Sequence, residues 1–551
     1  MIHITKGACQ SMQINPIQLE NQNKIINNYR KREQNIMQYF DYGVSANNIK
    51  QRYEDLREYS YKREELAKTL TLLNQHWNAP TATLNNIERL KSEKSVVVIG
   101  GQQAGLLTGP MYTINKIISI IKHAKQQEEY LQVPVIPVFW IAGEDHDFDE
   151  VNHIYLPFED RMKKYALPQY VPDKKSVTDI TFKKDKVNKW IEDIFAQLME
   201  TEHTKGLYTI IKMCAEKSDS YVDFFARLVF QLFQDEGIVL MDSGSQVIRN
   251  IESDYFISMI HKQEEIATGV YGALQDLNRS GYSIDLELEP DDGHLYLYKN
   301  NERILLKRTS SGHWYGKNNE VKLTTEELLA IAKSHPGRLS NNVVSRPLMQ
   351  ELLFPTLSFI GGPGEISYWS TLKPAFKALN IKMPPVVPRL SITFISSNTL
   401  KLTNKFNLNL NEVIHEGVDN KKKSWLDNKT DVPIETVTAD AKKKIAAAHK
   451  PLRDIAHGIR ADIGAIGEKN LDYLYYNIDF LEKRISDTIK AQYKHEISEF
   501  NQINQKLYPR EGLQERTWNP LLIFNQHGTH FIKKILQYPM SFEEEHFIIE
   551  I

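Results

Sequence analysis

The chain has 551 residues, 41% hydrophobic and 25% charged, with 68 basic against 70 acidic side chains and a formal net charge of −2. That length exceeds one compact core, so three or four domains are expected, and so balanced a charge supplies no field for nucleic acid. The two cysteines, Cys9 and Cys214, match neither a disulfide framework nor a ligand spacing, Met1–Lys6 lacks the apolar core of a signal peptide, and no run approaches twenty apolar residues; a reducing cytoplasm without membrane contact is expected.

Residues 1–94 read as a helical region packing on the core, with Ala46 to Trp77 rich in helix formers and free of Gly and Pro. The first part of the core, 95–157, is βαβ in character. Val96–Ile99 suits a strand covered on both faces, and Gly100, Gly101, Gly105 and Gly109 permit a sharp turn. Pro110 fits a first helical position, with Gly109 or Thr108 as cap, before a helix marked by Ile114, Ile117, Ile118 and Ile121. Such a turn aims N–H groups and a positive helix end at one point, which suits a phosphate or carboxylate; the competing reading is a tight turn that binds nothing. Gln102 and Gln103 add two amides at the strand end. A second strand spans 133–142, a helical insertion is expected over 158–235, and the core continues over 236–281 with a short strand ending at Asp242 and Ser243.

Over 282–335 the period changes to two. Ile284, Leu286 and Leu288, then Leu295 and Leu297, then Ile304 to Leu306, with turns at Asp291–Gly293 and Asn300–Asn301, predict an inserted antiparallel meander. The last part of the core, 336–390, holds the strand and loop Leu357–Gly364. Strands alternating with helices predict a doubly wound parallel sheet with right-handed crossovers. Residues 391–510 predict two long arms: Ile445, Ala448, Leu452, Ile455, Ile459, Ile463 and Ile466 recur at threes and fours, as do Leu471 to Leu507. The arms are expected to join near Gly467, with Pro451 kinking the first or marking its start. Such a hairpin either dimerises or folds back on its own domain. Residues 511–551 are read as a tail returning to the core.

Ligands bind beyond the carboxyl ends of parallel strands, so the Gly/Gln loop and Gly143–Glu150 are expected to share a crevice. His146, among carboxylates, suits a general acid or base. Metal binding is the rival reading, against which no His-Glu-x-x-His is present and His153 is seven residues away; acids capping the next helix form a third. Arg346 suits a bidentate carboxylate contact or a surface ion pair. Glu365, in the loop Gly361–Gly364 onward, suits an amine; Tyr368 and Trp369 suit either core or ligand wall. No Walker loop, dinucleotide fingerprint or Gly-x-Ser-x-Gly is present.

The segments Gly100–Pro110, Trp140–Asp147, Gly361–Glu365 and Gln514–Arg516 resemble the bacillithiol biosynthesis family of cysteine-adding enzymes (BshC), and the resemblance spans nearly the whole chain. It implies an α/β fold: a Rossmann-like parallel sheet core with inserted connecting segments and a C-terminal helical coiled-coil arm that makes a homodimer. It implies the last step of bacillithiol synthesis, a ligase joining cysteine to the amine of glucosaminyl-malate. An adenine nucleotide pocket near the arm is also implied, without assigned residues. The core is similar to nucleotidyltransferases that form adenylates, yet Gln102-Gln103-x-Gly105 stands where those carry His-x-Gly-His, and no Lys-Met-Ser-Lys-Ser loop is visible. ATP or ADP is therefore an expected cofactor without a recognised phosphate site; no metal is expected.

The resulting expectation is a crevice that binds glucosaminyl-malate and cysteine. His146 or Asp147 takes the proton from the attacking amine, and Glu365 orients that amine or the cysteine ammonium. Gly101, Gln102, Gln103, Gly105, Gly109, Glu144, Asp145, Asp242, Arg346, Gly362, Gly364 and Tyr368 form the substrate ring. A non-catalytic scaffold that recruits another ligase or a cysteine donor is the alternative.

Overall fold

The computed structural model describes residues 13–19, 23–171, 175–300, 302–429 and 433–551. Cys9, Met1–Lys6 and Asn301 of the second predicted turn lie outside them. The chain forms two compact units, one built from residues 1–156, 163–394 and 514–550, the other from 157–162, 395–513 and 551.

The first unit is organised by a five-stranded parallel sheet. Its strands are β1 (Val96–Gln102), β2 (Val135–Ile141), β3 (Val239–Asp242), β4 (Thr356–Gly361) and β5 (Val386–Pro388). They lie in the order 3-2-1-4-5, the doubly wound arrangement whose direction reverses between β1 and β4. Every residue of β2 is buried, as are Val96–Gly100, because helices cover both faces and polar side chains would find no water there. Registers run Val96↔Val135 to Gln102↔Ile141 on one side of β1 and Ile99↔Phe359 on the other.

Helix α1 (Met111–Leu131) follows β1 and buries Ile114, Ile117, Ile118, Ile120 and Ile121; each such side chain contributes roughly 1.5–3 kcal/mol. Helix α2 (Gln246–His261) follows β3, α3 (Ser345–Leu353) precedes β4, and α4 (Pro363–Trp369) follows it. In the N-terminal helical region, buried Arg52 reaches from Ala46–Leu56 to the Thr356 carbonyl at 3.0 Å and to the Glu351 carboxylate, tying that helix to β4 and α3.

Three sequence expectations shift. The helical segment 158–235 opens on Arg161–Ala166, which pairs with His153–Phe158, before its helices begin. Ile284, Leu286 and Leu288 form no strand, since the Leu286 N–H closes a three-residue turn onto Ile284 O at 2.9 Å. The antiparallel sheet instead joins Asp292–Lys299, Glu302–Arg308, Trp314–Gly316 and Lys322–Leu323, and its edge is completed by Leu339–Asn341.

The C-terminal tail threads the first unit. The Gln514 side chain exchanges hydrogen bonds with Phe394 N and O at 2.9 and 2.8 Å, as a neighbouring strand would. Glu515 takes both Arg389 Nη atoms at 2.7 and 2.6 Å, plus Asn115 Nδ2 at 2.7 Å and Ser391 Oγ at 2.9 Å. Burial alone would raise this carboxyl, but the Arg389 guanidinium overrides it and holds Glu515 down at about 2.

In the second unit, α5 (Ile434–Ile459) and α6 (Ala461–Gln492) pack on each other. The break falls at Arg460, whose backbone is extended at φ −168°, not at Gly467, which lies inside α6; Pro451 lies inside α5. Gly464 serves helix contact: a Cβ there would sit 2.2 Å from His457 Nδ1. The predicted seam divides accordingly. Gly464 and Leu471 are buried, while Leu452, Ile455, Ile459, Ile466, Leu481 and Ile485 face solvent.

Glu515→Gln is expected to lower stability by about 3–5 kcal/mol near neutral pH, because it strands the buried Arg389 charge. Glu515's folded value of about 2 lies below the ordinary 4.5, so its stabilisation is present above pH 4.5 and lost as pH falls toward 2, on the order of 3 kcal/mol in all. Urea unfolding midpoints between pH 7 and 2.5 check this: the variant's acid limb should be shallower than the parent's, and parallel limbs would refute it.

Candidate functional site

A cavity of about 270 Å³ opens beyond the carboxyl ends of β1 and β4, at the point where strand order reverses. Gly101, Gln102 and Gln103 line it from β1, Trp140, Ala142, Asp145 and Glu150 from β2 and its loop, Arg346 and Gln350 from α3, and Glu365 and Tyr368 from α4. Gly101 is required by close approach, since a Cβ would sit 2.7 Å from Trp140 O.

Lys116 holds the floor. It projects from α1, its side chain is 1% exposed, and Nζ donates to Gly101 O at 2.6 Å, Gln102 Oε1 at 3.1 Å and Glu365 Oε2 at 2.6 Å. An ammonium has three N–H donors, and all three are used. Burial pushes the Lys116 ammonium down, and Glu365 opposes that. Glu365 Oε2 also accepts the Gly362 N–H at 2.7 Å, closing the first turn of α4. Among the described residues Glu365 Oε1 has no hydrogen-bond partner, and Glu365 lines the cavity.

The opposite wall is a buried charge cluster. Glu144 is fully buried; its Oε2 accepts Arg249 Nη2 at 2.5 Å and Asn341 N at 3.1 Å, and its Oε1 accepts Arg346 Nε at 3.0 Å. Burial would raise its carboxyl, yet Arg249, Arg346 and Arg303 hold it at about 2. Arg346 Nη2 donates to Asp145 Oδ1 at 2.5 Å, which leaves Nη1 for a ligand. Polar atoms of three lining residues, Trp140 Nε1, Gln350 Oε1 and Trp369 Nε1, are buried without a partner among the described residues.

Seven of the predicted residues therefore meet at the cavity: Gly101, Gln102, Gln103, Asp145, Arg346, Glu365 and Tyr368. Glu144 lies beneath its wall, and Gly362 and Gly364 shape the loop that carries Glu365. His146 does not line the cavity; it is half-buried, with Nδ1 3.2 Å from Arg303 Nη1. A guanidinium only donates, so Nδ1 accepts and the ring proton sits on Nε2. Asp147 is exposed outside the lining.

Gly105 and Gly109 are buried away from the cavity, packed so that a Cβ on Gly105 would meet Gly109 Cα at 2.7 Å. Asn519 Nδ2 donates to Leu107 O at 3.1 Å and Gly109 O at 2.7 Å, and the Met111 N–H at the start of α1 donates to Trp518 O at 2.8 Å. The tail thus takes the helix end that the sequence offered to an anion. Asp242 lines a separate cavity of about 310 Å³ with His76, Asp179, Asp223 and Arg249; burial pushes it up to about 7 despite bonds from Gly244 N and Thr178.

Sequence reasoning missed Lys116, Glu150 and Gln350 as site residues. The available signal for Lys116 was a cation set among Ile114, Ile117 and Ile118 on an apolar helix face, where a buried charge needs a partner.

Residues 12–390 match the family described as bacillithiol biosynthesis BshC, N-terminal Rossmann-like domain, and residues 392–551 match its C-terminal coiled-coil domain. Relatives named "Putative cysteine ligase BshC" include those of Oceanobacillus iheyensis, 44% identical over 98% of this chain and 100% of that protein, and Bacillus licheniformis, 38% identical over 98% and 100%. A relative of the same name from a Geobacillus species is 38% identical over 93% of this chain and 95% of its own length. With the Rossmann-like and coiled-coil descriptions together spanning all but the first residues, this chain belongs to the BshC family of bacillithiol biosynthesis.

Proposed function

We propose that this chain is a cytoplasmic cysteine ligase that joins cysteine to the amine of glucosaminyl-malate, forming bacillithiol at the β1–β4 crevice. The observation that carries this reading is the crevice's division of labour. Asp145, Glu150 and Glu365 present carboxylates to ligand amines, while Arg346 keeps Nη1 for a carboxylate such as malate. The unpartnered Trp140 N–H and Gln350 oxygen match a sugar hydroxyl, which both accepts and donates.

In the bond-forming step the glucosamine nitrogen attacks the cysteinyl carbonyl carbon. The cysteine enters this step as an acyl phosphate, the class of activated donor that ATP supplies. The new C–N bond forms, the bond from the carbonyl carbon to the phosphate oxygen breaks with its electron pair leaving on the phosphate, which departs as the free anion, and the amine's proton passes to Glu365 Oε1. Lys116 and the Gly362 N–H fix Oε2, so the carboxylate meets the amine in one orientation. The crevice does not fit a triphosphate, because three carboxylates face it, Lys116 has spent all three donors and Arg346 keeps a single Nη1, too little for so many charges. The scaffold reading draws on the same mismatch: activation of cysteine would then belong to a partner.

Glu365→Gln is expected to reduce product formation by about 10²–10⁴-fold, the usual contribution of a positioned base. The assay is purified protein with glucosaminyl-malate, cysteine and ATP, read by thiol labelling. An unchanged rate removes Glu365 from the chemistry, and no product from the parent protein, with the substrate still bound, favours the scaffold.

We also propose that the arm dimerises through the solvent-facing stripe of Leu452, Ile455, Ile459 and Ile466, which are 61–70% exposed, more apolar surface than an isolated helical hairpin normally leaves in water. Replacing Ile455 and Ile459 together by Asp is expected to halve the mass measured by light scattering. A parent that already runs as one copy, or a double variant that still pairs, refutes this.

A further inference from the structure

Three carboxylates line the crevice, and the bond-forming step employs one of them, Glu365. That step brings together two nitrogens: the amine that attacks, and the α-ammonium of the cysteinyl donor, which must be held clear of the reacting carbonyl. Glu150 is exposed, and Gln103 Nε2 already occupies its Oε2 at 2.9 Å; an ammonium paired there would gain little over water. Asp145 is the carboxylate that remains.

Its main chain is fixed, since the Asp145 carbonyl accepts the Val177 N–H at 2.8 Å and its own N–H donates to Ala142 O at 3.3 Å. The side chain is 22% exposed; Oδ1 accepts Arg346 Nη2 at 2.5 Å, and Arg303 Nη1 stands 3.9 Å from the same oxygen. Among the described residues Oδ2 has no hydrogen-bond partner. The carboxylate is therefore anchored through one oxygen and open at the other.

Arg303 belongs to the inserted antiparallel sheet, on the strand Glu302–Arg308. Its side chain is 2% exposed and lies over the Tyr296 ring, 3.8 Å from the centroid. Nε donates to Ser340 Oγ at 2.9 Å, Nη2 to Asn341 O, and Nη1 to His146 Nδ1 at 3.2 Å. A planar fork engaged at every nitrogen cannot turn, so its charge meets Asp145 from a fixed point. We infer that Asp145 Oδ2 receives the α-ammonium of the cysteinyl donor, and that Arg303 is the positioning residue through which the inserted sheet aims it. The ligase reading supplies the identity of that donor. A site built around an ammonium rejects the analogue that lacks it, because the carboxylate is then left unpaired; the crevice therefore selects an α-amino acyl donor.

Two measurements on the full chain test this, with cysteine and its des-amino analogue 3-mercaptopropionate as probes. In titration calorimetry with glucosaminyl-malate present, the parent should bind cysteine about tenfold more tightly than the analogue, the weight of one charge-assisted hydrogen bond, and Asp145→Asn should abolish the difference. In the ligase assay Asp145→Asn should raise the KM for cysteine about tenfold while the KM for glucosaminyl-malate and the melting temperature hold. Arg303→Met should raise the cysteine KM more than the other, and Arg303→Lys, which restores the charge, should recover part of the loss; a general loosening would raise both KM values together. The inference is overturned if the parent binds both thiols alike, or if Asp145→Asn leaves the cysteine KM unchanged or shifts both KM values equally; the role of Arg303 falls if Arg303→Met leaves the cysteine KM unchanged. A parent that makes no product, yet prefers cysteine until Asp145 is replaced, overturns the ligase reading and supports the assignment of Asp145.

Discussion

A buried ammonium sets the geometry on which the crevice depends. Lys116 lies almost wholly out of water, where an unsatisfied charge would be prohibitive, and its three donors find one acceptor at the end of β1, one on the Gln102 side chain and one on Glu365 of α4. No two of these three elements can slide without breaking that set. Because α1 is anchored along its length by isoleucines against the sheet, the lysine holds the β4–α4 loop against β1 rather than following it. The reversal of strand order opens the space; the lysine fixes how wide it is at the floor.

The second wall follows the same rule with the signs exchanged. Glu144 is a fully buried carboxylate that survives there because Arg249 and Arg346 both reach it, and Arg346 then extends to Asp145 at the rim. Each wall therefore neutralises its own buried charge before it meets solvent. What remains at the surface of the cavity is mostly acceptor: Asp145, Glu150 and Glu365. The site is thus biased toward donors, and the neutral balance of the whole chain hides this local polarity.

Much of the sheet was legible because its signals are local. Val96–Ile99 and the apolar run of β2 announce strands buried on both faces, and the Gly361–Glu365 loop announces a turn into a helix. The misread positions are those whose environment comes from far along the chain. Gly105 and Gly109 look like an anion nest, but Asn519, 410 positions from Gly109, takes the loop carbonyls and Trp518 takes the first helix N–H. Gly467 looks like a turn, yet it lies inside α6; the glycine that close helix contact requires is Gly464, and the break falls at Arg460. Asp242 ends a parallel strand as Gln102 does, but β3 lies two strands from the reversal, and its carboxylate faces another cavity. Ile284, Leu286 and Leu288 alternate correctly and still find no partner strand, since alternation records which side is buried and not whether a neighbour is present.

The proposed ligand, both amine and acid, would meet a matching pair of groups in this cavity. A dicarboxylate would be repelled by a rim of three carboxylates unless a cation retained free donors, and Arg346 does, because its two acidic partners engage Nε and Nη2 only. An amine needs the converse, a carboxylate with a free oxygen, and Glu365 provides it because Lys116 and Gly362 both occupy Oε2. Each residue is half-used by the fold and half-open to the ligand. Losing the structural half would misdirect the other, so the ion pairs are not competitors of binding; they aim the groups that bind.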